Sequence, residues 1–242
     1  MLSSHARAVP IWSVAVLSYV AAVLHRTSFG VAGIAAADRY HVSPAVLAGF
    51  ATLQLLMYAG LQVPVGIALD RFGSRRLIVT GAFVMAAGQL VLALSTSVGL
   101  AYLGRALVGA GDAATFISVL RLVPAWFPPR RVPVLTQVTG LVGQLGQVLS
   151  AVPLVALLHG PGWTTAFVSV SAVGVVAGTA VLLVVQDVPA GEPRSPVPAD
   201  LRRIALDLRS AWRHPGTRLG LWTHFTTQFP GTVFALMWGT NC

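Results

Sequence analysis

From Ile11 to Ala36 the chain runs 26 residues with a single formal charge, Arg26. Comparable apolar runs follow near 45–69, 77–96, 99–124, 133–158, 163–186 and 218–239. A helix rising 1.5 Å per residue needs about 20 such residues to cross the roughly 30 Å of a bilayer core. This repetition predicts an all-α membrane protein. The alternating ten-residue segments of a β-barrel are absent from the pattern. The first run is too long for a signal-peptide core and lacks a small-residue cleavage site, so it reads as a retained span.

Only 10% of the residues are charged, against about a quarter in soluble domains. The net charge of +9 does not point to nucleic acid, because the arginines sit in short blocks between apolar runs rather than along one basic face. All sixteen basic residues are arginine, which reads as the codon usage of a GC-rich bacterial genome. The only cysteine is Cys242, so neither an internal disulfide nor a cysteine metal site is expected.

Arginine also sets the orientation. With the N-terminus in the cytoplasm, thirteen arginines fall in inside segments and one, Arg39, outside, leaving Arg26 and Arg105 within spans. The expected location is the bacterial inner membrane. Residues 187–217 form the one long polar connection, opening with a proline-rich stretch. There "ADLRRIALDLRSAWR" places Leu201, Ile204, Leu208 and Trp212 on one helical face, as in a basic amphipathic helix against an anionic lipid surface or a plain solvated linker. The expected organisation is a bundle over 1–186, a linker over 187–217 and a seventh span over 218–242.

The stretch "GIALDRFGSRR" is the most specific signal. Charge counting explains Arg75 and Arg76, but not Asp70 or the fixed glycines. Gly66, Asp70, Arg71, Gly73, Arg75 and Arg76 match the loop Gly-x-x-x-Asp-Arg-x-Gly-x-Arg-Arg between spans 2 and 3, and on it the chain resembles the major facilitator superfamily. Gly66 is expected to allow close helix approach and Gly73 a tight turn. "GRALVGAGDA" resembles the family's span 4 motif through Arg105, Gly109 and Gly111, and "WFPPRR" and "GWTTAF" resemble its span 4 exit and span 6 entry. The span 5 antiporter signature is not met, with Gln144 where its proline would fall. "HRTSFGVAG" and Asp112 resemble the anion:cation symporters and nitrate/nitrite porters.

The resemblance implies a six-helix bundle of 3+3 inverted repeats, followed here by a seventh helix and truncated relative to twelve spans. It implies no cofactor and a gating role for the loop. In the family the residue at Asp70 contacts the second half near helix 11, a partner this chain is expected to lack.

Charges inside spans cost about 2.5–3.5 kcal/mol each unless they face a partner or a watery cavity. Arg105 and Asp112 share one face of span 4 but stand roughly 10 Å apart along its axis. Arg26 and Asp112 differ in depth by about 4–5 Å, and the resemblance implies that spans 1 and 4 both line the central cavity, so the two are expected to pair. The candidate cavity set is Tyr19, His25, Arg26, Arg105, Asp112, Gln144 and Gln147. Arg26 and Arg105 would attract an anion, with Asp112 tuning Arg26 or exchanging a proton; alternatively Asp112 is a static packing partner. His25 could titrate, although a lone histidine is more often a packing residue.

The pattern excludes hydrolytic triads, phosphate loops and metal clusters. The expected function is secondary active transport of a small, anionic solute by alternating access, coupled to a proton or other ion. The expected partners are the bilayer, the solute and a complementary C-terminal half, and this chain is not expected to transport alone. A non-transporting fragment, half-transporter subunit or scaffold is the alternative.

Overall fold

Lipid offers no partner for a free amide or carbonyl, so each apolar run must close its hydrogen bonds internally as a helix. The computed structural model describes residues 2–189, 206 and 209–238, and divides into two compact units, Met1–Ser195 and Pro196–Cys242. The first unit contains α1 (Leu2–Val31), α2 (Gly33–Tyr40), α3 (Pro44–Gly60), α4 (Gln62–Phe72), α5 (Ser74–Leu94) and α6 (Val98–Trp126). After a 3₁₀ turn, Pro129–Arg131, come α7 (Val132–Gly143), α8 (Leu145–Leu149), a π-helical turn at Ser150–Leu154, α9 (Val155–His159) and α10 (Trp163–Val184). Among the described residues five helical stretches are long and apolar enough to span a membrane, or six if α2 and α3, bent by 114°, count as one. The expected second span is carried by α3 and α4. Their hydrogen bonding passes through the break at Leu61, whose N–H donates to Met57 O at 3.1 Å and whose carbonyl accepts from Val65 at 2.8 Å.

The second unit holds α11 (Pro215–Trp238), where the seventh run was expected. It is a helix of 24 residues but is not among the stretches apolar enough to span, since Thr223, His224, Thr226 and Thr227 interrupt its grease. Trp212 is exposed, and Leu201, Ile204 and Leu208 lie outside the described residues.

Glycines set the tightest packing. A β-carbon on Gly81 would strike the carbonyl of Gly111, and one on Gly88 the carbonyl of Gly104; the reverse substitutions collide in the same way. The two pairs are seven residues apart on each helix, so α5 and α6 run antiparallel with their backbones in contact over two turns. α7 and α8 approach α1 by the same means, Gly143 against the Tyr19 ring and Gly146 against the Val20 carbonyl. Trp12 Nε1 adds a hydrogen bond to Thr139 Oγ1 at 3.0 Å. Gly66 does not do this: among the described residues nothing lies within 4 Å of a β-carbon built on it. Gly73 does supply the tight turn, with φ +84°, between α4 and α5.

At the opposite end α2 lies across the C-terminus of α5. The guanidinium of Arg39 donates to the carbonyls of Ser95 and Ala93, and Trp163 Nε1 and Tyr40 Oη donate to Leu92 O. Thr164 Oγ1 donates to Ala93 O at 3.2 Å. These bonds satisfy the carbonyls that a helix end leaves without partners.

Candidate functional site

Asp112 sits near the middle of α6 and is 1% exposed. Its carboxylate accepts from Arg26 of α1 on both oxygens, Nε to Oδ2 at 2.7 Å and Nη2 to Oδ1 at 2.8 Å. This is the pair expected from their depths together with the family's placement of spans 1 and 4. A forked guanidinium–carboxylate contact is the geometry that best offsets the cost of burying both charges.

Arg105, one face and two turns away on α6, is 2% exposed and does not reach Asp112 directly. Its Nη2 donates to the backbone carbonyl of Arg26 at 3.2 Å, and its guanidinium carbon lies 4.9 Å from the Phe29 ring centroid. Nε and Nη1 have no hydrogen-bond partner. Two guanidiniums thus lie near one carboxylate, and only Arg26 bonds it. The other described acidic residues, Asp38, Asp70 and Asp187, lie in α2, at the end of α4 and beyond α10.

The Arg26 side chain remains 32% exposed, and its guanidinium lies 5.5 Å from the Tyr58 ring centroid. Tyr19 and Tyr58 are within electrostatic reach of both Arg26 and Asp112. Tyr58 carried no signal in the sequence beyond its place in an apolar run; only the packing of α3 on α6 brings it here. Gly109 of the span 4 motif makes this possible, since a β-carbon there would strike the Gln54 carbonyl of α3.

Next to Arg26, Thr27 Oγ1 bonds Ser150 Oγ at 2.8 Å, Ser150 Oγ donates to Gln147 O, and Gln147 Nε2 donates to Gln144 Oε1. Both glutamines are exposed, on a stretch whose regular bonding is interrupted at Gln144 and through the π-helical turn holding Pro153. A chain of hydrogen bonds therefore runs from Thr27 through Ser150 to the two predicted glutamines. His25 is not part of it. It is fully buried on another face of α1, where a β-carbon on Gly174 would strike its ring. Its carbonyl accepts from Gln89 Nε2 at 3.0 Å.

The loop motif also has a local partner. Asp70 is bonded by Arg121 of α6, within the same bundle. Arg75 donates from its backbone to Asp187 Oδ1 at 2.7 Å and from Nη2 to Leu182 O. Arg71 lies over Phe72, and Arg76 is exposed.

The chain belongs to the Major Facilitator Superfamily, whose model matches residues 15–240. It is 28% identical over 151 residues to the uncharacterized transporter YybO of Bacillus subtilis, covering 62% of this chain and 34% of that protein. It is 29% identical over 167 residues to a quinolone resistance transporter of Acinetobacter baumannii (64% and 37% covered). With the probable anion transporter 5 of Arabidopsis thaliana it shares 26% over 161 residues (66% and 37% covered). The fold is similar to that of a bacterial homologue of the human lysosomal transporter Spinster, in an inward-facing, unoccupied conformation, with a TM-score of 0.62 and 18% identity over 79% of this chain and 46% of that one. The chain spans about a third of the length of these curated relatives.

Proposed function

We propose that this chain forms one wall of a secondary transporter that moves a small anion by alternating access, with Arg26 as its contact. The observation that carries the reading is the charge imbalance: among the described residues Asp112 is the one carboxylate beside the guanidiniums of Arg26 and Arg105, it is bonded by Arg26 alone, and Arg26 is partly open. An uncompensated positive charge at membrane depth is costly, and an incoming anion offsets that cost. In this reading Arg105 supplies field rather than contact, and Tyr19, Gln144 and Gln147 offer neutral hydrogen bonds. Asp112 competes with the solute for the Arg26 fork and takes up a proton when displaced, which couples the two. His25 packs the bundle. The loop from Gly66 to Arg76 gates at the arginine-rich end, which faces the cytoplasm of a bacterial cell. The similarity to a protein named as an anion transporter supports the anionic class, while that to a quinolone resistance transporter favours export of a larger solute.

The test is flux in proteoliposomes containing the full-length protein that carries this sequence, with inorganic phosphate, nitrate and a dicarboxylate as probes under an imposed proton gradient. Uptake of one probe that is abolished in Arg26→Ala and partly kept in Arg26→Lys supports the reading. Unchanged uptake in Arg26→Ala, or a quinolone as the only transported solute, overturns it.

A further inference from the structure

The C-terminal end of α10 emerges between two grooves. On one side Arg75, Arg76, Val79, Thr80, Leu182 and Asp187 line a groove between α5 and α10. On the other side Arg7, Pro10, Ile11, Val184 and Gln186 line a groove between α1 and α10. Both are lined by apolar side chains and arginine; the first carries two arginines and the Asp187 carboxylate, which accepts from the Arg75 amide. Between them the outer stripe of α10 is bare grease, with Val176 69% and Leu183 78% exposed.

The arginines are not equivalent. Arg75 is engaged: its backbone holds Asp187 and its Nη2 holds Leu182 O. Arg7 and Arg76 are exposed, and neither guanidinium makes a hydrogen bond or ion pair among the described residues. Thr80 turns its hydroxyl inward to the Arg76 carbonyl, so the groove offers cationic donors rather than competing hydroxyls. Both arginines sit at the bundle end where α1 and α5 begin and α6 and α10 stop, which is the level of the lipid headgroups if α10 spans the bilayer.

The geometry points to an anionic phospholipid site wrapped around the end of α10. Arg76 holds the phosphate in the α5–α10 groove and Arg7 holds one in the α1–α10 groove, while the acyl chains lie along Val79, Leu182 and the Val176–Leu183 stripe. Charge selects the lipid, because a zwitterionic headgroup brings its own cation to a site already supplied with one. Arginine suits phosphate through its planar, forked donors. The binding depends on the tails as well as the headgroup, so free phosphate is not the ligand.

Native mass spectrometry of the full-length protein, with dioleoyl phosphatidylglycerol against dioleoyl phosphatidylcholine, reads this directly. Phosphatidylglycerol should be retained in preference. Arg76→Ala and Arg7→Ala should each weaken that retention about fivefold, the share expected of one arginine at an anionic surface. Arg130→Ala, which removes an exposed arginine from the same end but outside both grooves, should leave it unchanged, and thermal melts in phosphatidylcholine micelles should be equal for all variants. Equal retention of the two lipids, equal losses in Arg130→Ala and Arg76→Ala, no loss in either groove variant, or displacement of the lipid by millimolar inorganic phosphate would overturn the proposal.

Discussion

Arg26 Nε and Nη2 grip both oxygens of Asp112 at 2.7 and 2.8 Å, joining α1 to α6 across 86 residues of chain. Removing one member strands the other inside the bundle. Asp112→Ala should therefore destabilise the protein by about 3–5 kcal/mol. The double variant Arg26→Met with Asp112→Leu should lose clearly less than Asp112→Ala alone. Thermal unfolding in detergent tests both; equal losses in the two would show that the charges are not coupled.

The glycine contacts give a sharper contrast. Gly81→Ala and Gly111→Ala must drive α5 and α6 apart, because each new methyl meets backbone oxygen rather than a yielding side chain. Both should destabilise by more than 1 kcal/mol, on the order of an overpacked core. Gly66→Ala and Gly140→Ala meet nothing within 4 Å and should gain about 0.5–1 kcal/mol from helix propensity. The same melts separate the two classes.

The Asp70–Arg121 pair is solvent-facing, with side chains 50% and 42% exposed. Arg121→Ala should cost no more than about 1 kcal/mol, and the loss should shrink in high salt. A loss that stays large at high salt would mean that the loop depends on Arg121 for more than charge.

Orientation is testable with one background. In Cys242→Ser, a cysteine at Ser97 should react with an impermeant maleimide from outside intact cells, while one at Arg130 should react only after lysis. The reverse pattern would place the arginine-rich end outside.

The spans were legible because lipid demands long, uncharged helices, and no tertiary detail is needed to see them. The Arg26–Asp112 pair was legible because few charges lie within spans, their depths agree, and the family resemblance puts spans 1 and 4 side by side. What stayed hidden depends on contacts distant in sequence. Arg39 read as a lone outside charge, whereas it caps the carbonyls of Ser95 and Ala93. Asp70 was expected to want a partner from a second half, but Arg121 reaches it within this one, which no spacing in the loop could reveal. Gly66 carries the motif's signature, yet among the described residues nothing lies within 4 Å of a β-carbon built on it.

The backbone contacts at Gly81–Gly111 and Gly88–Gly104 make α5 and α6 a single stiff girder. The stretch from Val132 to His159 is its mechanical opposite: Gln144 bonds back only three residues, and the turn holding Pro153 is wound loosely. Arg26 stands on α1, which packs on that compliant stretch, and Asp112 stands on the girder. The Arg26–Asp112 pair therefore ties the helix pair with backbone-to-backbone contact to a helix that also packs on the most irregularly wound stretch.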